Sequence, residues 1–374
     1  MTSRAETAAH DHFPALDGLR AVAILTVLAH NLTNIEVHRT LPERVWTAIV
    51  DAGWIGVQLF FVLSGFLITG ILLADRGRPR YFRTFFVRRA LRIFPLYFLF
   101  LGVRFFVIPW VVPGTSVPWT TQLWFWLYLS NWYDLAFGGL AGMGHLWSLA
   151  VEEQFYVSWP LVTARARPVA LLGACALVIV GSLLTRVAMR GLEVPSAWMY
   201  ASTVARADGL AFGAFVALAL RDEAWRKRMG AARKPAFVLS IGGLVVVAAV
   251  FHGLSRANWV VQTFGYSLLA MLFAVIVSII VEGSRAPWVR LLSHPALGLL
   301  GRYSYATYLI HLPLKHVGLQ LLGARMVVWS ASSPLMTDVA FVTAVSTASF
   351  VFAIASYALI EKPALSLKDR WAPR

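Results

Sequence analysis

The residues between 145 and 160 combine a histidine, a serine, a tyrosine and two adjacent glutamates within an otherwise apolar stretch. Side chains of these types carry out acid–base and transfer chemistry. Residues three or four apart lie on one face of a helix, so we predict a polar stripe of Ser148, Glu152 and Tyr156, extended one turn toward the N-terminus by His145. A carboxylate in the middle of a bilayer costs roughly 2.5–3.5 kcal/mol to insert, and such residues usually face a cavity and pair with a cation. We therefore predict an internal site around Glu152.

A second histidine, His30, lies in a run of leucine, valine and alanine. A histidine titrates near neutral pH and can take a proton from an attacking hydroxyl, an effect worth about 10²–10⁴-fold. We therefore predict that His30 is a general base and that Glu152 orients its ring and stabilises its imidazolium form. Glu153 points about 100° away from the stripe and is the weaker of the two candidate carboxylates. The alternative for His30 is a packed side chain that is bonded to a backbone carbonyl. The alternative for Glu152 is a structural residue that pairs with Arg206 or another cationic side chain within the membrane.

The composition places these residues in a membrane. The chain has 374 residues, 59% of them hydrophobic. Apolar runs of about 20 residues, each long enough to cross ~30 Å of hydrocarbon, recur along the chain. We predict an all-α, polytopic protein of the cell membrane with about ten transmembrane helices. The predicted spans are 16–35, 54–74, 93–110, 145–162, 169–187, 197–219, 235–254, 259–281, 297–317 and 336–360.

The basic residues predict the orientation of these spans. Seven arginines lie between positions 76 and 92, and short basic loops are usually cytoplasmic, which puts both termini in the cytoplasm. The later basic loops stay on that side only if the aromatic run at about 121–137 does not cross, so we predict a re-entrant or interfacial helix there. One membrane domain, 16–361, then lies between cytoplasmic tails at 1–15 and 362–374. His30 and Glu152 enter the bilayer from opposite sides and reach similar depths, so we expect them to meet.

The net charge and the cysteine content limit the partners and metals that the protein is expected to bind. The formal charge of +15 is explained by membrane orientation and anionic lipids, so we expect the lipid bilayer and no nucleic acid as a partner. Cys175 is the single cysteine, which excludes an intrachain disulfide and a thiolate-built metal site. No His, Cys, Asp and Glu spacing indicates a metal, so we expect none. A homodimer is left open.

Five motifs, in the order in which they occur, resemble the acyltransferase-3 family of membrane O-acyltransferases. They are Leu16–Arg20 followed by His30, Phe60–Ile68, Arg88–Pro95, Trp147–Tyr156 and Tyr303–His311. The resemblance implies transfer of an acyl group, commonly acetyl, from cytoplasmic acyl-CoA to a hydroxyl of a sugar, glycolipid or natural product such as a macrolide. Nine residues separate Arg20 from His30, where the family usually has ten. The hydrolase-like domain that often follows in the family is not in this chain, so we expect transfer without it.

The basic motif supplies candidate donor-binding residues. Arg89 and Arg92 are three apart on one helical face and form a suitable fork for the pyrophosphate of acyl-CoA, expected to be acetyl-CoA. We add Arg20 and Arg88 to these candidate donor-binding residues. The alternative is that the arginines only set the orientation of the protein in the membrane. Arg206 and Asp208 are intramembrane charges that we expect to balance one another or Glu152. The predicted residues for a small-molecule or glycan acceptor are His145, Ser148, Tyr156, Asn131, Arg206, Asp208, Tyr308 and His311.

These observations predict an acyl-CoA-dependent membrane O-acyltransferase with a tunnel between the two faces and His30 as its base. Direct transfer needs a complex with both substrates, while a transient acyl-histidine is the alternative mechanism. A transporter or exporter of a lipid or glycolipid would also bury charges around a midplane cavity. The arginine cluster and the lack of detectable internal repeats count against that reading.

Overall fold

The computed structural model describes residues 13–34, 40–251 and 253–373. Within these ranges the secondary structure is helical and no β-strand is present, which confirms the predicted all-α class. The first helix begins at Pro14, so the predicted N-terminal tail falls almost entirely outside the described residues.

The first half of the chain forms the helices that carry most of the predicted site. These are α1 (Pro14–Leu32), α2 (Leu41–Asp51), α3 (Ile55–Ala74), α4 (Tyr81–Gly102), α5 (Trp119–Trp126), α6 (Ser130–Phe137), α7 (Leu146–Arg165) and α8 (Pro168–Gly191). A 3₁₀ turn, Ala52–Trp54, joins α2 to α3. A π-helical turn, Val103–Val107, extends α4 into a last helical turn at Ile108–Val111.

The second half adds ten further helices. They are α9 (Ser196–Ala201), α10 (Thr203–Ala219), α11 (Glu223–Val250), α12 (Tyr266–Val281), α13 (Pro287–Leu292), α14 (Pro295–Arg302), α15 (Ser304–Ser332), α16 (Pro334–Ser356), α17 (Lys362–Ser366) and α18 (Lys368–Trp371). π-helical turns precede α12 at Val261–Gly265 and follow α16 at Tyr357–Glu361.

Eight helical segments of the described chain are long and apolar enough to cross a membrane, as expected of a multi-pass membrane protein. They are Pro14–Leu32, Leu41–Ala74, Tyr81–Val111, Pro168–Gly191, Ser196–Ala219, Glu223–Val250, Val261–Val281 and Pro334–Trp371. Helices α7 and α15, of 20 and 29 residues, are outside this set because their polar side chains lower their hydropathy. The total of about ten crossings therefore stays a prediction.

The aromatic run expected at 121–137 forms two short helices, not one. Helices α5 and α6 have eight residues each, so neither can cross ~30 Å of hydrocarbon at 1.5 Å per residue. Tyr128 separates them with a positive φ of 54°, a left-handed conformation that interrupts a right-handed helix.

Helices α3 and α10 touch backbone to backbone. A Cβ added to Gly65 would overlap the carbonyl oxygen of Leu210, and one added to Gly213 would overlap that of Val62. Small residues allow transmembrane helices to approach this closely. The contact fixes the position of α3, one wall of the site described next.

Candidate active site

One cavity, with a volume of about 260 Å³, lies between α1, α3, α4, α7, the end of α14 and the start of α15. We call it the arginine cavity, because guanidinium groups from three helices line it together with two carboxylates. Its charged lining residues are Arg20, Arg89, Arg92, Arg302, Glu152 and Glu153. Its hydroxyl-bearing lining residues are Ser64, Tyr128, Ser148, Tyr156, Ser304, Tyr305 and Tyr308.

Arg89 is held against the polar stripe of α7. Its guanidinium carbon lies 3.8 Å from the centroid of the Tyr156 ring, and its Nε lies 4.0 Å from Oε1 of Glu153. The Tyr156 hydroxyl donates to Oε2 of Glu152 over 2.8 Å and also contacts the Ser64 hydroxyl. The structure thus brings Ser148, Glu152 and Tyr156 to one cavity. Glu153, expected to point away from the stripe, lines the same cavity because it lies beside Arg89.

A second cavity, with a volume of about 320 Å³, contains His30. We call it the histidine cavity. Its polar and aromatic lining residues are His30, Asn31, Trp54, Asp134, His145, Trp147, Tyr200, Arg256 and Tyr308. The Nδ1 atom of His30 lies 2.8 Å from the carbonyl oxygen of Val50. A carbonyl can only accept, so Nδ1 carries the proton of the neutral ring and Nε2 keeps its lone pair.

The predicted contact between His30 and Glu152 is not formed. Val50 holds the His30 ring, and the Glu152 carboxylate binds Tyr156 in the other cavity. Arg20 and His30 are ten residues apart on α1, which separates them by ~15 Å along the helix axis. Arg20 lines the arginine cavity and His30 the histidine cavity. A buried carboxylate is stabilised better among guanidinium groups than beside a neutral imidazole, which accounts for the placement of Glu152.

Two side chains of the described residues, Val57 and Tyr308, line both cavities. The Tyr308 hydroxyl donates to the His145 carbonyl oxygen over 2.9 Å and lies 2.6 Å from Oγ of Ser148. The two cavities therefore lie back to back, with Val57 and Tyr308 between them.

The two predicted acceptor histidines have different positions. His145 lines the histidine cavity, and its Nε2 lies 3.0 Å from the Leu309 carbonyl oxygen. His311 is fully buried and lines neither cavity. Its Nδ1 lies 2.6 Å from the Tyr308 carbonyl oxygen, and its Nε2 accepts from Nδ2 of Asn31 over 3.0 Å. His311 therefore contacts Asn31, which does line the histidine cavity, and an acceptor contact of its own stays a prediction.

Asn131 was also predicted to meet an acceptor, and the structure places it inside the helix packing instead. It is fully buried. Its Nδ2 donates to Oγ1 of Thr203 over 3.1 Å, and its Oδ1 accepts from Nε2 of Gln154 over 3.0 Å. These bonds use its polar atoms to join α6 to α7 and α10.

Arg206 and Asp208, expected to balance one another or Glu152, form no direct ion pair with each other. Asp208 is fully buried, and its Oδ2 lies 2.9 Å from Nη2 of Arg186 and accepts from Oγ of Ser267 over 2.7 Å. Two residues apart on a helix point to different sides, so α10 directs Asp208 to α8 and Arg206 elsewhere. Arg186 was missed, although a charge inside the apolar run of α8 was a signal for it.

Arg206 lies behind the histidine cavity. It is fully buried, and within the described chain its guanidinium nitrogens have no hydrogen-bond partner. Its guanidinium carbon lies 3.8 Å from the ring centroid of Tyr266, 5.5 Å from that of Trp147 and 5.7 Å from that of Tyr200. Aromatic faces attract a cation at these distances. Trp147 and Tyr200 line the histidine cavity, so Arg206 supports its wall and does not line it.

Arg88, predicted to bind the donor, faces away from the arginine cavity. Its Nη2 lies 3.0 Å from Oδ1 of Asp369, and its Nε donates to the Ala372 carbonyl oxygen over 2.9 Å. Adjacent residues on a helix point about 100° apart, so Arg88 and Arg89 cannot share one target. Arg88 fastens the C-terminal segment to α4.

Several lining residues were not identified from the sequence. Ser64 and Tyr305 lie within two of the five motifs, which was an available signal, whereas Arg302, Asp134 and Arg256 lie outside them. Among the described residues, no group of three or more His, Cys, Asp or Glu side chains could hold a metal ion.

Comparisons with known proteins agree on one family. The acyltransferase-3 family model, described as an acyltransferase domain, matches residues 13–358. The putative peptidoglycan O-acetyltransferase YrhL of Bacillus subtilis is 29% identical over 340 residues, covering 83% of this chain and 49% of that protein. The O-acetyltransferase OatA of Staphylococcus aureus is 26% identical over 326 residues, covering 81% of this chain and 50% of that protein. The peptidoglycan O-acetyltransferase OatA of Listeria monocytogenes is 29% identical over 326 residues, covering 81% and 49%.

The chain spans about half the length of these curated relatives. No solved structure matches it. The family match includes every helix that lines the two cavities. The chain therefore belongs to the acyltransferase-3 family.

Proposed function

We propose that this protein is a membrane O-acyltransferase that moves an acetyl group from acetyl-CoA to a hydroxyl of a glycan. The observation that carries the proposal is the pair of back-to-back cavities, one lined by guanidinium groups and the other by a histidine with a free lone pair. Such a pair suits two substrates that approach one reacting bond from opposite sides.

The arginine cavity is the proposed donor site. Coenzyme A carries a pyrophosphate and a further phosphate, and planar guanidinium groups bind such oxygens through paired hydrogen bonds. Arg20, Arg92 and Arg302 line this cavity beside Arg89. Arg89 is already placed by Tyr156 and Glu153, so Glu153 acts as a positioning residue. We place this cavity on the cytoplasmic side, in agreement with the basic loop that precedes α4 and the arginines in the first half of that helix.

The histidine cavity is the proposed acceptor site. Trp54, Trp147 and Tyr200 supply flat apolar faces, and Asn31 and Asp134 supply polar atoms, a combination typical of ligand pockets. The YrhL and Listeria OatA relatives are named for acetylation of peptidoglycan, which supports a glycan acceptor here.

His30 is the proposed general base. Its Nε2 takes the proton of the acceptor hydroxyl as that oxygen bonds to the carbonyl carbon of the thioester. The carbon–sulfur bond then breaks, the sulfur leaves as the thiolate of coenzyme A, and the proton held on His30 is released to it or to solvent. The products are an ester and free coenzyme A. The Val50 carbonyl fixes the tautomer that this step needs, a role expected of Glu152 from the sequence.

Glu152 receives a different role under this proposal. Its bond from Tyr156 and its place beside Arg89 make it part of the support for the donor arginines. An acyl-histidine intermediate remains the alternative to direct transfer, and it would bond the acyl carbon to the same Nε2.

The test uses purified protein in lipid vesicles with radiolabelled acetyl-, propionyl- and longer acyl-CoA and a panel of sugar, peptidoglycan-fragment and macrolide acceptors. We expect label on a glycan acceptor and an equal amount of free thiol, with no thiol release when the acceptor is omitted. Thiol release before acceptor addition would indicate the acyl-histidine route. Movement of the acceptor across the membrane without thiol release would overturn the proposal and identify an exporter.

A further inference from the structure

The two cavities are separated by very little protein. Of the described residues that line either cavity, only Val57 of α3 and Tyr308 of α15 line both. Both side chains are buried. We call these two side chains the partition.

Both members of the partition are fixed. The Tyr308 hydroxyl is tied to the His145 carbonyl oxygen at 2.9 Å and to Oγ of Ser148 at 2.6 Å, and its ring packs edge-on against Phe60 with centroids 6.4 Å apart. Val57 is a β-branched residue with few rotamers in a helix. Its helix is held to α10 by the glycine contacts of Gly65 and Gly213. The partition is therefore built from side chains that are held in place.

We infer that the acyl group is transferred at this partition, and that Val57 and Tyr308 limit the length of the acyl chain. The inference rests on the proposed function. With coenzyme A in the arginine cavity and the acceptor hydroxyl beside His30, the thioester carbon lies where the cavities meet. The donor arm and the acceptor then occupy the two open directions, so the tail of the acyl group packs against Val57 and Tyr308.

The size of the effect follows from how apolar pockets discriminate. One methylene more or less in such a pocket changes kcat/KM by about 10–200-fold. An acyl tail that packs against these fixed side chains is therefore limited in length, and we expect propionyl to be disfavoured relative to acetyl by at least the lower end of that range. Removing two methyl groups from the partition makes room for the extra methylene.

The experiment compares acetyl-CoA and propionyl-CoA as donors with one glycan acceptor. We expect Val57→Ala to raise the propionyl-to-acetyl ratio of kcat/KM about tenfold, and Val57→Leu to lower the ratio. Val62→Ala is the matched control. It removes the same atoms from the same helix at a buried position that lines neither cavity, so its ratio stays at the wild-type value.

The outcomes separate this inference from the function on which it rests. If the active Val57 variants keep the wild-type propionyl-to-acetyl ratio of kcat/KM, the role of the partition in selecting the acyl chain is overturned. The acyltransferase proposal is then unaffected. A shift in Val62→Ala equal to that in Val57→Ala also overturns it, because the effect would then follow from loosened packing. Absence of transfer from any acyl-CoA by the wild-type protein overturns the proposed function itself.

Discussion

Replacement of His30 by asparagine separates its proposed chemistry from its packing. The ring donates from Nδ1 to the Val50 carbonyl oxygen over 2.8 Å. The Nδ2 atom of an asparagine occupies a similar position on its side chain and can donate the same bond. The amide has no basic nitrogen, so the variant keeps the contact and loses the base.

The expected loss of activity is too large to come from stability. Removal of a general base lowers kcat by about 10²–10⁴-fold. Loss of the bond to Val50 would cost about 0.5–1.5 kcal/mol, which is at most about tenfold in the unfolding equilibrium constant. A protein that is almost wholly folded therefore keeps nearly the same folded fraction, and its kcat reports the chemistry.

The assay measures thiol release from acetyl-CoA with a glycan acceptor, together with the melting temperature of each purified variant. We expect His30→Asn to melt near the wild type with kcat reduced at least about 100-fold. His30→Ala is the companion variant, with the same loss of kcat and a lower melting temperature. An active His30→Asn, within about threefold of wild-type kcat, would refute the role of His30 as a base.

Three further predictions test the donor site and the packing. Arg92→Ala should raise KM for acetyl-CoA about 10–100-fold through loss of a charged hydrogen bond. Arg88→Ala is the control and should leave KM unchanged, because Arg88 contacts the C-terminal segment. Equal effects of the two variants on KM would contradict the assignment of the arginine cavity as the donor site. Asp208→Asn leaves Arg186 buried without its counter-charge and should lower the free energy of unfolding by about 3–5 kcal/mol. The measurement is the melting temperature in detergent, which should fall. An unchanged melting temperature would show that the ion pair does not stabilise the fold. Gly65→Ala should destabilise the folded protein by about 1–3 kcal/mol, because the added Cβ meets the Leu210 carbonyl. Gly70→Ala is the control and should have no such effect, because the space around its Cβ is open. Similar melting curves for the two variants would argue against the close α3–α10 contact.

The polar stripe of α7 could be predicted because helix geometry alone decides which positions share a face. Ser148, Glu152 and Tyr156 do line one cavity. The same reasoning correctly put Arg89 and Arg92 together, but it could not say that Arg88 binds the C-terminal segment. That contact depends on where a distant part of the chain packs.

The partners of the buried charges were beyond the reach of sequence reasoning. Asp208 is two positions from Arg206, yet it pairs with Arg186, 22 positions earlier. Which of several arginines meets a carboxylate depends on how neighbouring helices are rotated about their axes. The partner of His30 is a backbone carbonyl, as in the alternative given from the sequence. Every residue type has a backbone carbonyl, so no pattern of side chains marks Val50 as the residue that supplies it.

The thinness of the partition has a consequence for the bilayer as a barrier. Two cavities that meet at Val57 and Tyr308 are separated there by one layer of side chains. That layer must also resist ions, since a membrane potential of 100 mV drives each unit charge with about 2.3 kcal/mol. The bonds of the Tyr308 hydroxyl to Ser148 and to the His145 carbonyl oxygen therefore serve electrical insulation as well as positioning, and a variant that removes atoms from this layer should make vesicles leak protons.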